Sequence, residues 1–364
     1  MARRSLRRTT LIAAALTAAA VIVGCTNLPY YLQSVRGQLD IWSRQHDIEV
    51  VIDKPDTSER LRAKLREVLQ IREFASDELG LPRNASYRSY ANLDRPFVIW
   101  NVFAAPEFSI QPKQWCFIFA GCVAYRGYFS KVEAEGFADE VAKDGFDVFV
   151  GGVPAYSTLG YFPDPVLNTF VNYPKAHLAR LIFHELAHQI VYVKDDSVFN
   201  ESFAVAVEQE GMRRWLARYG TEQDRTTNAL VAQRRTQFVN LIETYRGKLD
   251  ALYKSGLPPK EMRPRKTALF AELDSEYQKL KEGWGGFKGF DRWFEDKPNN
   301  ALLASVSIYT RKVPAFQALL AREEGDMPRF YGAVKDLAKL GKKERAAAIE
   351  RLMPSSSPAS ASAH

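Results

Sequence analysis

Two histidines four positions apart, His184 and His188, enclose the string His184-Glu185-Leu186-Ala187-His188. On an α-helix that spacing puts both imidazoles on one face, one turn apart, within reach of a single metal ion. Glu185 is rotated by about 100° from His184, so it addresses a water beside the metal rather than the metal itself. A catalytic Zn2+ takes three protein ligands and keeps one position open. Water there loses its proton near neutral pH, and a neighbouring carboxylate can take it. The reading is therefore one Zn2+ per chain, with His184 and His188 as ligands and Glu185 as catalytic base. Two capped core histidines beside a solvated glutamate would spell the same letters. The preceding apolar LARLIF, however, marks a buried helix.

The third ligand must come from a nearby side chain, and Asp195, Asp196 and Glu201 are the carboxylates at hand. A metzincin pattern would need Gly at 191 and His at 194, where this chain has Val191 and Lys194. The stretch NESFAVAVEQEG resembles the NExxA helix of the gluzincins, the superfamily of thermolysin and the zinc aminopeptidases. The likeness is to the aminopeptidase form, through Asn200, Glu201, Ser202, Phe203, Ala204, Glu208 and Gly211. That resemblance implies Glu201 as the third metal ligand. Glu208 lies seven residues on, on the same helix face, as a candidate to orient a ligand histidine; an exposed helix charge is the alternative. Asn200 is grouped with it as a support of the ligand set.

Only residues 189–200 separate His188 from Glu201, fewer than thermolysin or the familiar aminopeptidases place there. The glycine-rich exopeptidase motif of the larger zinc aminopeptidases has no counterpart, so the subfamily differs. Most of the chain resembles a family of bacterial lipoproteins described as zinc aminopeptidases. The likeness runs over CFIFAGCVAYRGYF, AYSTLGYFPDPVLNTF, the zinc segment and IYTRKVPAF. It implies a zincin-like fold and hydrolysis of peptide or protein substrates. A zinc endopeptidase of the cell envelope and a non-catalytic zinc-binding lipoprotein scaffold stay open as alternatives. Gluzincins bind peptide backbone along an edge strand ahead of the zinc helix, and Ala155 to Phe162 stands in that place. Tyr309 is the candidate oxyanion donor, with Tyr156 and Tyr161 as substrate-side candidates; each could equally be a core tyrosine. Asp164 is the candidate partner for a substrate α-ammonium.

These residues need elements to hold them. Apolar spacing predicts helices over Thr57–Leu79, Ser130–Lys143, Ala176 to about Val193, Asn200–Tyr219, Glu222–Lys254 and Arg265–Lys281, with others from about Asn300 and Met327. Strand signals fall at Phe97–Phe103, Trp115–Phe129 and Phe146–Gly151, and 155–163 reads as extended. Strands first and helices after give an α+β class. The chain divides into a signal segment 1–25, a sheet-containing region 26–175, a helical zinc-binding region 176–353 and a low-complexity, disordered tail 354–364.

Residues 1–25, MARRSLRRTTLIAAALTAAAVIVGC, run from basic to apolar to small, the order of a secretory signal. The apolar run of about 16 residues is short of the roughly 20 that span a membrane. Ile22-Val23-Gly24-Cys25 resembles a bacterial lipobox, which implies lipidation at Cys25 and a membrane anchor. Thr26 after the cysteine resembles sorting to the outer membrane, facing the periplasm. Two cysteines remain, Cys116 and Cys122, and an even, close pair in an exported chain most simply forms a disulfide. Two reduced buried cysteines are the alternative. The 364 residues are 46% hydrophobic and 26% charged, which excludes disordered and collagenous classes. Arg3, Arg4, Arg7 and Arg8 supply most of the +7 excess, so nothing calls for a nucleic-acid partner.

Overall fold

The strands all precede residue 168, and the longest helices all follow residue 174. The computed structural model describes residues 28–117, 121–295, 297–310 and 312–353, without the side chains of 307–310. The signal-like segment with Cys25, and the tail 354–364, lie outside the described residues. The first half runs α1 (28–43), β1 (Gln45–Asp47), α2 (Ile48–Asp53), α3 (Glu59–Asp77), β2 (Ser89–Ala91), β3 (Ile99–Pro106), β4 (Trp115–Phe117), β5 (Gly121–Val123), β6 (Tyr125–Tyr128), α4 (Lys131–Lys143), β7 (Phe146–Val153) and β8 (Val166–Leu167). The second runs α5 (Lys175–Ala187), α6 (Ser197–Tyr219), α7 (Glu222–Tyr253), α8 (Pro259–Gly283), α9 (Arg292–Glu295), α10 (Asn300–Thr310), α11 (Val313–Arg322), α12 (Met327–Lys339) and α13 (Lys342–Leu352). The fold is mixed α+β. Among the described residues no helix is long and apolar enough to cross a membrane.

β3 is apolar almost throughout, and a strand of that kind must be covered on both faces. It is the centre of an antiparallel sheet ordered β6-β3-β7. Trp100 and Val102 pack with Ala134 and Ala138 of α4, while Phe103 packs with Ala301 of α10. A second small sheet, β1-β2-β8, lies under α2 and joins the main core. β4 and β5 form a hairpin in which Cys116 and Cys122 face each other and are disulfide-bonded.

The largest core draws on both halves, from Ile41 of α1 through Leu65, Ile182 and Phe203 to Ile349 of α13. A smaller one, around Phe238, Ile242 and Tyr277, belongs to α7 and α8 with Leu303 of α10. Four expectations shift. The strand expected over 115–129 breaks into β4, β5 and β6, with Gly121 at φ +75° where the hairpin turns back. Residues 155–163 form no strand. Leu159 and Gly160 turn with positive φ, and the Thr158 hydroxyl closes the loop by donating to the Phe162 carbonyl. α5 stops at Ala187 instead of running to 193. α8 starts early, at Pro259, because proline fits a first turn, and Pro264 within it forgoes one helical bond.

Candidate metal centre

α5 buries Leu178, Ile182, Phe183 and Leu186, which leaves His184 and His188 pointing together toward α6. His188 is the C-cap residue just past α5 and keeps αR backbone angles, so the one-turn relation holds although the helix ends at Ala187. The chain then turns within nine residues and returns as α6. Asn200 makes that short return possible: its side chain accepts from Val193 N and donates to Val193 O, both at 2.8 Å. Asp196 caps α6 by accepting from Phe199 N and is held by Arg345 at 2.8 Å. Asp195 accepts from Cys122 N of the disulfide hairpin. Both loop aspartates are thus engaged away from the histidines. Gly211 lets the helices close, since a Cβ there would stand 2.7 Å from the Phe183 ring.

This packing brings Glu201 Oε2 to 3.3 Å from His184 Nε2 and 3.7 Å from His188 Nε2. Ligand atoms bound tetrahedrally at zinc distances stand about 3.3 Å apart. Glu201 Oε2 is buried and has no hydrogen bond, which suits a ligand atom rather than a solvated charge. The three residues form a group able to hold a metal ion, their ligand atoms all within 4.8 Å of one another.

Behind them, Glu208 Oε2 lies 3.2 Å from His184 Nδ1, the ring nitrogen turned away from Glu201. Arg180 and Arg235 stand 3.4 and 3.8 Å from the other Glu208 oxygen. Burial raises the Glu208 carboxyl, but His184, then Arg235 and Arg180, outweigh it and hold it below the usual range. Glu201 behaves likewise: burial raises it, and the two histidines bring it well below the usual carboxylate range. Burial pushes the His184 imidazole down, yet Glu201 and Glu208 together hold it well above the ordinary value. The cluster is built to keep a positive charge between its carboxylates. Glu185 is different, because burial dominates and pushes its carboxyl up, which makes it the more basic carboxylate of the site.

The centre opens into a cleft of about 490 Å³, within the size range of small-molecule and peptide sites. His184, Glu185, His188 and Glu201 line it together with Asn101 of β3, Tyr125 of β6 and Tyr30 of α1. Tyr156 lines it too and donates to Gln38 of α1. Tyr161 does not line it and stands 82% exposed. Asp164 is buried behind the loop, where its carboxylate accepts from Thr158 N at 3.1 Å. Burial pushes it up to about 6. Tyr309 sits in α10, but its side chain lies outside the described residues.

Sequence reasoning missed several residues here. Tyr125 and Tyr192 also line the cleft, and their hydroxyls are raised first by burial and then by the charge of Glu201. Arg180 was legible in principle, one turn before His184. Arg235 carried no local signal, and nothing in the sequence of α1 pointed to the cleft.

Fold and site together define an α+β protein whose paired helices present a three-residue group able to hold a metal ion beside the carboxylate of Glu185. The family model described as "Putative aminopeptidase" matches residues 29–349, and the chain belongs to that family. No curated protein and no solved structure matches the chain.

Proposed function

We propose that the chain is an exported, lipid-anchored zinc metallopeptidase of gluzincin type. Its carrying observation is the convergence of His184 Nε2, His188 Nε2 and Glu201 Oε2 beside Glu185 at the wall of an open cleft. His184, His188 and Glu201 would hold Zn2+, which supplies Lewis acidity toward a carbonyl and makes water a better acid. Glu208 keeps the Nδ1 proton of His184 and so fixes its ring. Glu185 receives the proton of the attacking water on its carboxylate and returns it to the departing amine. Its raised proton affinity suits both steps. Tyr125 offers a neutral hydroxyl near the same carboxylates, a donor for developing oxyanion charge beside the candidate Tyr309. The family supports peptide or protein substrates. Cys25 carries the anchor in this reading, with the enzyme facing the periplasm from the outer membrane.

The family description favours an aminopeptidase. One observation favours an endopeptidase: among the described cleft residues the only carboxylates are Glu185 and Glu201, and Asp164 is committed to its own loop. Cleavage of free and N-acetylated peptides separates the two, since only an exopeptidase loses the blocked substrate. The test of the chemistry is Glu185→Gln, which should keep about one zinc per chain and lose about 10²- to 10⁴-fold in peptide hydrolysis. Unchanged hydrolysis with zinc bound would sink the mechanism. Zinc bound without any Glu185-dependent cleavage would favour a scaffold.

A further inference from the structure

α1 has two faces with opposite chemistry. Its inner face packs on β6: Gln33 donates to Gly127 O and accepts from Phe129 N, and Gly37 lies so close to the Phe129 ring that a Cβ would overlap it. Tyr30, Ser34 and Gln38 on that side line the cleft.

The outer face carries Leu28, Leu32, Val35, Leu39 and Trp42, each between 37% and 56% exposed. Steps of four, three, four and three residues keep them within a sector of about 80° along about 21 Å of helix. Phe162 packs edge-on against Trp42 at 4.7 Å, and Tyr161 adjoins it. Seven of the thirteen large apolar side chains exposed among the described residues therefore gather here. Such a concentration marks a docking surface.

What the surface meets is indicated by the chain around it. Cys25 precedes Leu28 by three residues, at most about 10 Å of chain. Between Cys25 and Asp40 the only charge is Arg36. Asp40 itself is paired with Arg44 and Arg95. An apolar stripe that ends in aromatic rings and begins three residues from the lipid-bearing cysteine matches the interfacial layer of a bilayer.

We infer that the outer face of α1, with Tyr161 and Phe162, seats in the interfacial layer of a lipid bilayer and holds the cleft beside the membrane surface. The inference rests on the lipid-anchor reading of Cys25. A chain on a lipid tether alone would leave this face in water; a seated one places Trp42 among acyl chains. Access to the cleft then runs along the membrane, which favours peptide segments close to the bilayer as substrates.

The test uses the full chain reconstituted in phosphatidylethanolamine–phosphatidylglycerol vesicles with brominated acyl chains, reading tryptophan quenching. Wild type should be quenched, and Trp42→Phe should lose most of that quenching. The triple variant Leu32→Glu, Val35→Glu, Leu39→Glu should lose it too, while its thermal melt and its hydrolysis of a soluble peptide stay unchanged. Equal quenching in wild type and both variants, or none in wild type, would overturn the seating. A lipid-free dimer that the triple variant dissolves, with Trp42 unquenched in vesicles, would assign the face to a second copy instead. Mass spectrometry of Cys25 keeps the two readings apart. Lipid on Cys25 with Trp42 unquenched defeats the seating alone. Quenched Trp42 on an unlipidated chain defeats the anchor alone.

Discussion

α5–α6 and α7–α8 are both helix pairs joined by short connections, yet they spend their interiors differently. The α7–α8 pair encloses rings and aliphatic chains: Phe238 stacks on Phe290 at 4.3 Å and Tyr277 on Phe294 at 4.2 Å. Most of its charges stay outside, as in the Lys248–Glu272 pair, and among the described residues of the two helices only Arg246, beside Glu243, is a buried charge. The α5–α6 pair buries His188 and Glu208 and half-buries His184 and Glu201, against Leu186, Phe183 and Phe203. Buried charges cost stability unless they are paired, and here the pairing is shared among two histidines, two glutamates and two arginines. One pair is organised for stability, the other spends stability on a charged site. α10 links them, giving Leu303 to the small core while packing on α6.

The contrast can be broken at its apolar end first. Phe238→Ala should cost about 3–5 kcal/mol in denaturant unfolding and leave zinc content per folded molecule unchanged. Loss of zinc in parallel with stability would mean that α10 transmits the damage to the site.

A smaller effect, of order 3 kcal/mol, concerns the buried charge near the site. Burial raises Asp164 to about 6, above its ordinary value. Below about pH 4 its carboxyl is protonated in folded and unfolded chains alike. Between about 4 and 6 only the unfolded chain ionises, so the contribution is lost as pH rises. Asp164→Asn should remove that fall, and melts across this range compare the two. Parallel pH profiles would show that Asp164 is better solvated than its position implies.

Next comes Glu208→Gln, which should weaken zinc affinity by about 10- to 100-fold in a competition titration and leave Glu201 in place. No change in affinity would reduce Glu208 to a partner for Arg180 and Arg235. Smallest of all, Lys248→Ala should shift stability by less than about 1 kcal/mol, because the pair it breaks is exposed.

Local sequence was a good guide wherever one helix face carried the argument. The His184–His188 pair needed only the helical period, and the burial of LARLIF followed from its composition. Glu208 could be placed on a face but not assigned, since only the packing of α6 on α5 decides whether that face meets His184 or water. The expected edge strand at 155–162 failed because Asp164 and Thr158 tie that segment to itself, a preference that β-propensity does not register. α5 read six residues too long because Asn200, at the start of the next helix, takes the backbone groups of Val193, a competition that apolar spacing does not register.

From its own letters the chain determined which residues share a helix face, since periodicity is a property of three or four neighbouring positions. It also determined the mixed α+β class, through the succession of strand and helix signals. Only the tertiary structure decided which face meets which. It brought Glu201 to the histidines across a nine-residue turn and Arg235 to Glu208 from another helix. It also set one side of α1 into the cleft and left the other apolar and exposed. Those outcomes depend on contacts between distant segments, whose free energies are settled when the core closes and leave no mark in any short stretch of sequence.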